Sequence, residues 1–280
     1  MTARELQDAL RMLHPVLEPS VDRIVLGAAD AEVRGIGVMW MPTWAALRAA
    51  AAAGANVMVV HEPTFYTHWD REGFEQEFER LKPTSRTALD TTRAAKEKWI
   101  LEQGLTVIRC HDVIDAMPGG VVDSLARELG FSPDADLLVR AGNYRVMHLH
   151  GGRRAGEVAQ QLARAFAPLG QPGVAFYGDA GRTVATLGLG TGYGCDPWRQ
   201  IELGAEMALV IDDRIKVWTE PVWAEDAGFP LAVINHGTSE EWGVRTLAGI
   251  LRKQFPGTPV HLIPQGCGYR WITPDASAPV

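Results

Sequence analysis

Short, unbroken apolar runs, each followed by a helix-forming stretch, constrain this chain more than any other feature. "NVMVV" (56–60), "LTVIRC" (105–110) and "LAVIN" (231–235) are apolar enough to lie in covered sheet. "DRIVLG", "GIGVMWM", "YRVMHLH", "GVAFYGD", "RTVATLGLG" and "TPVHLIP" add further strand patterns. Between them lie helix patterns such as "WAALRAAAAAG", with Thr43 as N-cap and Gly54 as stop, and "EWGVRTLAGILRKQF". Strands alternating with helices predict an α/β fold of mainly parallel sheets. Two lobes are expected: residues 1–130 with 230–280, and an inserted second α/β lobe over 131–229. The tail "TPDASAPV" is expected to be loose.

Bulk properties exclude several function classes. A chain of 280 residues can bury a sizeable core. Its net charge of -7 argues against a nucleic-acid footprint, which needs clustered Lys and Arg. Cys110, Cys195 and Cys267 are odd in number and lack CxxC spacing, which speaks against a disulfide framework or a thiolate zinc knuckle. "MTARELQDALRMLHPVLEPS" is an amphipathic helix without a long apolar core, so neither a signal peptide nor an anchor is expected. No apolar run reaches the ~20 residues of a membrane span. The expectation is a cytoplasmic protein with no membrane partner.

Three of the strand patterns end alike. "NVMVV" runs into His61-Glu62, "LTVIRC" into His111 with Asp115 four residues on, and "LAVIN" into His236 with Glu240 four residues on. The functional crevice of an open α/β sheet lies beyond the carboxyl ends of its strands. Imidazole and carboxylate without thiolate suit Zn, Fe, Mn or Co in a catalytic type of site. Six candidate donors exceed what one tetrahedral ion takes, so a pair of ions sharing a carboxylate is the natural reading. Each residue also has a plainer explanation. A lone strand-end His is more often a hydrogen-bonded structural group. Glu240 fits the first turn of a helix capped by Thr238 with Glu241 in a capping box. Asp115 fits a turn before Pro118-Gly119-Gly120, and Asp123 a structural role at the next helix start.

"HDVIDAMPGGVVDSLARELGF" resembles the "HTNLDAxPGGxND" signature of the NIF-three-like dinuclear metal-centre hexameric family. "GANVMVVHEPTF" is similar to that family's "GADLIVxHHPLxF", and "INHGTSEEWGVRTLAGIL" to its "GHxATExxGVxxLAxxL". Order and spacing agree from the first helix to the last strand. Members also carry the label GTP cyclohydrolase I type 2 homologue. The resemblance implies a two-lobed NIF-three-like fold and a ring-shaped homohexamer. It implies two divalent ions per chain (Zn, Fe or Mn), held by His61, Asp115, His236 and Glu240. The second His of "HHP" is Glu62 here, a carboxylate that can still bind or bridge ions and shifts the expectation towards Mn or Fe. His111 matches the signature His, as ligand, supporting group or proton carrier; with Glu62 it is the candidate proton shuttle. The implied activity is metal-dependent hydrolysis of a small molecule: a nucleotide, another phosphate ester or a purine-like ring. The contrasting expectation is a non-catalytic metal-handling or adaptor protein.

Other features read as structural. "GLGTGYG" (188–194) lacks the Walker pattern and reads as a tight turn. His148 and His150 share one side of a strand as a hydrogen-bonded or exposed pair. Trp40, Trp44 and Trp69 read as core or subunit contact, with stacking of a ring substrate as the alternative. His68 and Arg71 are candidate substrate contacts. Residues 66–103 are longer than the family pattern suggests, a candidate lid or contact surface.

Overall fold

The computed structural model describes residues 1–272, so the tail over 273–280 lies outside the described residues. The chain divides into two compact units, Met1–Gly120 with Val244–Gln265, and Val121–Gly243 with the segment from Gly266.

In the first unit, α1 (Ala3–Arg11) opens with a capping box between Thr2 and Glu5. β1 (Ile24–Leu26) and β2 (Ile36–Met39) follow. Thr43 caps α2 (Trp44–Ala52) by accepting the Ala46 amide, and Gly54 leaves the helix at φ +94°. β3 (Val57–Val60) comes next. The long charged stretch forms α3 (Arg71–Phe78) and α4 (Pro83–Glu102), a 20-residue helix with proline at its start. β4 (Thr106–Arg109) and the one-turn α5 (Asp112–Ala116) complete this part.

The second unit runs through α6 (Val121–Glu128), β5 (Leu137–Ala141), β6 (Tyr144–Arg154) and α7 (Ala155–Phe166). β7 (Ala175–Tyr177), β8 (Thr183–Gly190), α8 (Pro197–Glu202), β9 (Met207–Ile211) and α9 (Glu220–Ala227) follow. β10 (Leu231–Ile234) then leads into α10 (His236–Gln254), and β11 (Val260–Ile263) returns to the first unit's sheet.

The first sheet has the order β1-β4-β3-β2-β11. β4, β3, β2 and β11 are parallel, and only edge strand β1 runs antiparallel. Every residue of β2, β3 and β4 is buried, as expected of parallel strands that read as continuous apolar runs. The second sheet has the order β5-β6-β8-β9-β10-β7 and is mixed. β8, β9 and β10 are parallel, while β5, β6 and β7 join through antiparallel pairings.

The expected α/β class is therefore present, with two corrections. "Mainly parallel" describes the first sheet, whereas the second is mixed, with three antiparallel pairings beside two parallel ones. The lobe limits also differ from 1–130 with 230–280 and from 131–229. β10 pairs with β9 and β7, which places His236 and Glu240 in the second unit. Among the described residues no helix is long and apolar enough to cross a membrane.

Candidate metal centre

The first unit assembles one donor set at the carboxyl ends of neighbouring strands. β3 and β4 pair with Val60 opposite Arg109, so His61 and His111 leave the sheet side by side. Their rings stack at 4.6 Å and 15°. The single turn of α5 brings Asp115 back over them. Its Oδ1 lies 3.6 Å from His61 Nε2, and its Oδ2 lies 4.0 Å from His111 Nδ1. One ligand atom from each of His61, His111 and Asp115 lies within 4.8 Å of the others. His61 and Asp115 are buried and His111 is partly exposed.

Each ring is oriented by what its Nδ1 touches. His61 Nδ1 lies 3.3 Å from the Cys110 carbonyl, which can only accept, so Nδ1 carries the hydrogen and Nε2 keeps its lone pair. His111 Nδ1 lies 2.9 Å from Asp112 Oδ1. Asp112 in turn accepts from Ser20 Oγ at 2.7 Å and the Val21 amide at 3.1 Å. Asp22 accepts the amides of His111, Asp112 and Val113 and so fixes the start of α5. Burial opposes charge on His111, but the carboxylates of Asp115 and Asp112 outweigh it and raise its pKa. Burial likewise works against charged Asp112, yet hydrogen bonds from His111 and Ser20 prevail and its pKa falls. For Asp22 burial wins over the amide bonds, and its pKa rises.

Glu62 is buried beside a fully buried cation. Arg109 Nη2 lies 3.6 Å from Glu62 Oε2, and Nη1 lies 3.7 Å from Asp70 Oδ2. Arg109 also donates through Nε to the His61 carbonyl at 3.1 Å, and through Nη1 to the His68 carbonyl. Desolvation lowers its pKa against the pull of Asp70 and Glu62. A buried ion needs this many partners to stay charged.

The second unit builds its pair on one helical turn. His236 and Glu240 stand four apart at the start of α10, with Nε2 and Oε1 3.0 Å apart. Glu240 has no exposed surface. Parallel pairing of β9 and β10 places the residues after each strand together. Asp212 accordingly accepts the His236 amide at 3.2 Å, and Asp213 Oδ2 meets His236 Nδ1 at 2.9 Å. Gly192 adopts φ +47°, and a β-carbon there would stand 3.4 Å from Glu240 Oε1 and 3.9 Å from His236 Nε2. The turn in "GLGTGYG" is thus wrapped against this pair. α10 begins at His236 rather than beyond Thr238, so Thr238 lies inside its first turn. Glu241 accepts the Gly266 amide at 3.0 Å instead of closing a capping box at Thr238.

The remaining candidates fall as follows. Asp123 is structural, bound by Arg145 at 2.7 Å and Arg140 at 3.0 Å. His148 and His150 pack at 4.3 Å, and His150 pairs with Asp136 at 2.7 Å. His68 stands edge-on to His111 at 5.4 Å, whereas Arg71 pairs with Glu97 at 3.2 Å. Trp40 is core, Trp69 is exposed, and Trp44 packs edge-on against Trp99.

A family model, Duf34/NIF3 (NGG1p interacting factor 3), matches residues 24–265. The chain belongs to the DUF34/NIF3 family. Solved structures agree on the fold. A hypothetical protein of Staphylococcus aureus has a TM-score of 0.74 at 17% identity, over 97% of this chain and 99% of that one. A Bacillus cereus protein related to NIF3 has 0.70 at 15%, over 98% and 99%. Reduced HcgD from Methanocaldococcus jannaschii has 0.67 at 16%, over 94% and 97%. No protein of curated function matches the chain.

For this DUF34/NIF3 chain the donor chemistry fits divalent metal. All three motif imidazoles have Nδ1 against a carbonyl or carboxylate, the arrangement that orients metal-binding histidines and raises their basicity. Sequence reasoning missed Asp22, Arg109, Asp112, Asp213 and Gly192. Only "IDD" after β9, a second strand ending in polar residues, offered a signal for Asp213.

Proposed function

We propose that this DUF34/NIF3 protein is a metal-dependent hydrolase. It would hold two divalent ions (Zn, Fe or Mn) through His61, Glu62, Asp115, His236 and Glu240. The observation that carries the reading is the clustering of His61, His111 and Asp115 with both rings anchored through Nδ1. Bound ions would supply Lewis acidity for attack of water on a nucleotide, another phosphate ester or a related ring substrate. His111, hydrogen-bonded to Asp112 and partly exposed, is suited to carry a proton to and from the reacting groups. Glu62 is the second candidate for that role, with its charge balanced by Arg109. The family resemblance further supports a homohexamer, which native mass spectrometry tests directly.

A second reading, metal handling without catalysis, draws on the complete burial of Glu240 and near-complete burial of His61. Closed sites are typical of structural or storage metal. The deciding experiment is metal content of untagged protein purified without chelator, for wild type, Asp115→Ala and His236→Ala, followed by a metal-loaded substrate screen. The hydrolase reading expects about two ions per chain, loss of at least one in each folded variant, and turnover by wild type. Unchanged metal content in His236→Ala removes the ligand assignment. Full loading without turnover on any substrate class favours metal handling.

A further inference from the structure

A cavity of about 440 Å³ opens in the first unit between the start of α2, the loop after β3 and α4. That size falls within the range of small-molecule sites. Met41, Trp44, Pro63 and Tyr66 give it mostly apolar walls, with Thr43 and Lys96 as its polar members. Lys96 is 4% exposed. Its Nζ donates to the Thr64 carbonyl at 2.9 Å and stands 5.5 Å from the centre of the Tyr66 ring. Among the described residues no carboxylate comes within 4.0 Å of it, the reach of an ion pair, although Asp70 exerts a longer-range pull. An ammonium has three N–H donors and one is accounted for by Thr64. A buried cation with a single carbonyl and a ring face is under-compensated.

The walls are held in place for contact. Tyr66 adopts φ +69°, a conformation rarely taken by a bulky residue, and this keeps its ring at the cavity and over Lys96. Trp44 is braced edge-on by Trp99 at 5.7 Å and covered by Arg48 at 5.0 Å. Two aromatic rings, a proline and an adaptable methionine form a surface for a flat apolar body.

We propose that this cavity binds a small aromatic monocarboxylate. The ring would lie among Trp44, Pro63, Tyr66 and Met41, and the carboxylate would accept from Lys96 Nζ. One ammonium in an apolar wall matches one negative charge, whereas a phosphate dianion would leave charge uncompensated. The inference rests on these six residues alone and does not depend on the metal reading.

The test is calorimetric titration of the full-length protein with naphthoate, and with its neutral isostere naphthamide. Wild type is expected to bind naphthoate saturably and naphthamide about tenfold more weakly or less, the scale of one charge-assisted hydrogen bond. Lys96→Met should lose that preference and bind both weakly. Met41→Trp, which fills the cavity and leaves Lys96 intact, should abolish binding; it keeps the test valid if Lys96→Met does not fold. Absence of saturable binding to wild type overturns the proposal. So does naphthoate affinity that stays at the wild-type level in either folded variant, or inorganic phosphate displacing naphthoate at equal concentration.

Discussion

The two donor sets are built in different ways. In the second unit, His236 and Glu240 are one helical turn apart, and the orienting Asp213 is 57% exposed. In the first unit, His61, His111 and Asp115 come from two strands and a separate turn. They rest on Asp22, Arg109 and Glu62, nearly all buried. The first set is expensive to assemble, because charges out of water must be matched by other charges. The second comes with the helix that carries it. Stability should therefore be sensitive to polar changes around the first set and tolerant of them around the second.

The largest effect is expected at Arg109. Arg109→Met leaves Glu62 and Asp70 buried without their cation and should cost about 3–5 kcal/mol in denaturant unfolding. A loss under ~1 kcal/mol would mean that the first set is no costlier than the second.

Next comes pH, through Lys96. Burial lowers its pKa to about 8 from 10.5, against a smaller upward pull from Asp70. Below about 8 both folded and unfolded forms hold the proton, and the buried charge costs stability, on the order of 3 kcal/mol. Between about 8 and 10.5 the unfolded chain binds more protons, so stability contributed by this group climbs with pH. Unfolding of wild type and Lys96→Met at pH 7 and pH 9.5 should show wild type gaining relative to the variant. A constant difference would remove the buried-charge account.

Around the second set the expected losses are smaller. Gly192→Ala forces an alanine into φ +47° beside Glu240 and should cost ~1 kcal/mol. Asp213→Ala should change stability by under ~0.5 kcal/mol, since its side chain is largely in water. It should nevertheless weaken metal binding by ~10-fold, because it orients the His236 ring. Metal titration of folded Asp213→Ala separates the two effects.

This difference also explains what was legible in the sequence. His61, His111 and His236 were readable because each follows an apolar run that can hardly be anything but strand, and Glu240 because four residues make a helical turn. Asp22 was not, since its partners are amides some 90 residues away and no local pattern marks it. Arg109 sits inside "LTVIRC", where a charge looks like the outward face of a strand, yet it points into the interior. The lobe assignment of β10 failed for a related reason. "VMVV", "TVIR" and "LAVI" are equally good buried parallel strands, and pattern does not say which sheet a strand joins. The strand over 137–141 was missed because Leu138 stands on its exposed face and blurs the alternation that Leu137, Val139 and Arg140 keep.

The segment that follows the first metal motif is closed upon itself. Asp70, at φ +55°, accepts the Thr64 and Phe65 amides at 2.6 and 3.0 Å. The Asp70 amide returns to the Thr67 carbonyl at 2.9 Å, and the Thr67 hydroxyl to the Asp70 carbonyl at 2.6 Å. A clasp of this kind opens all at once or not at all. In hydrogen exchange the amides of Thr64, Phe65 and Asp70 should therefore share one opening rate. The stretch between Pro63 and Arg71 would then behave as a single kinetic latch on the chain leaving His61 and Glu62.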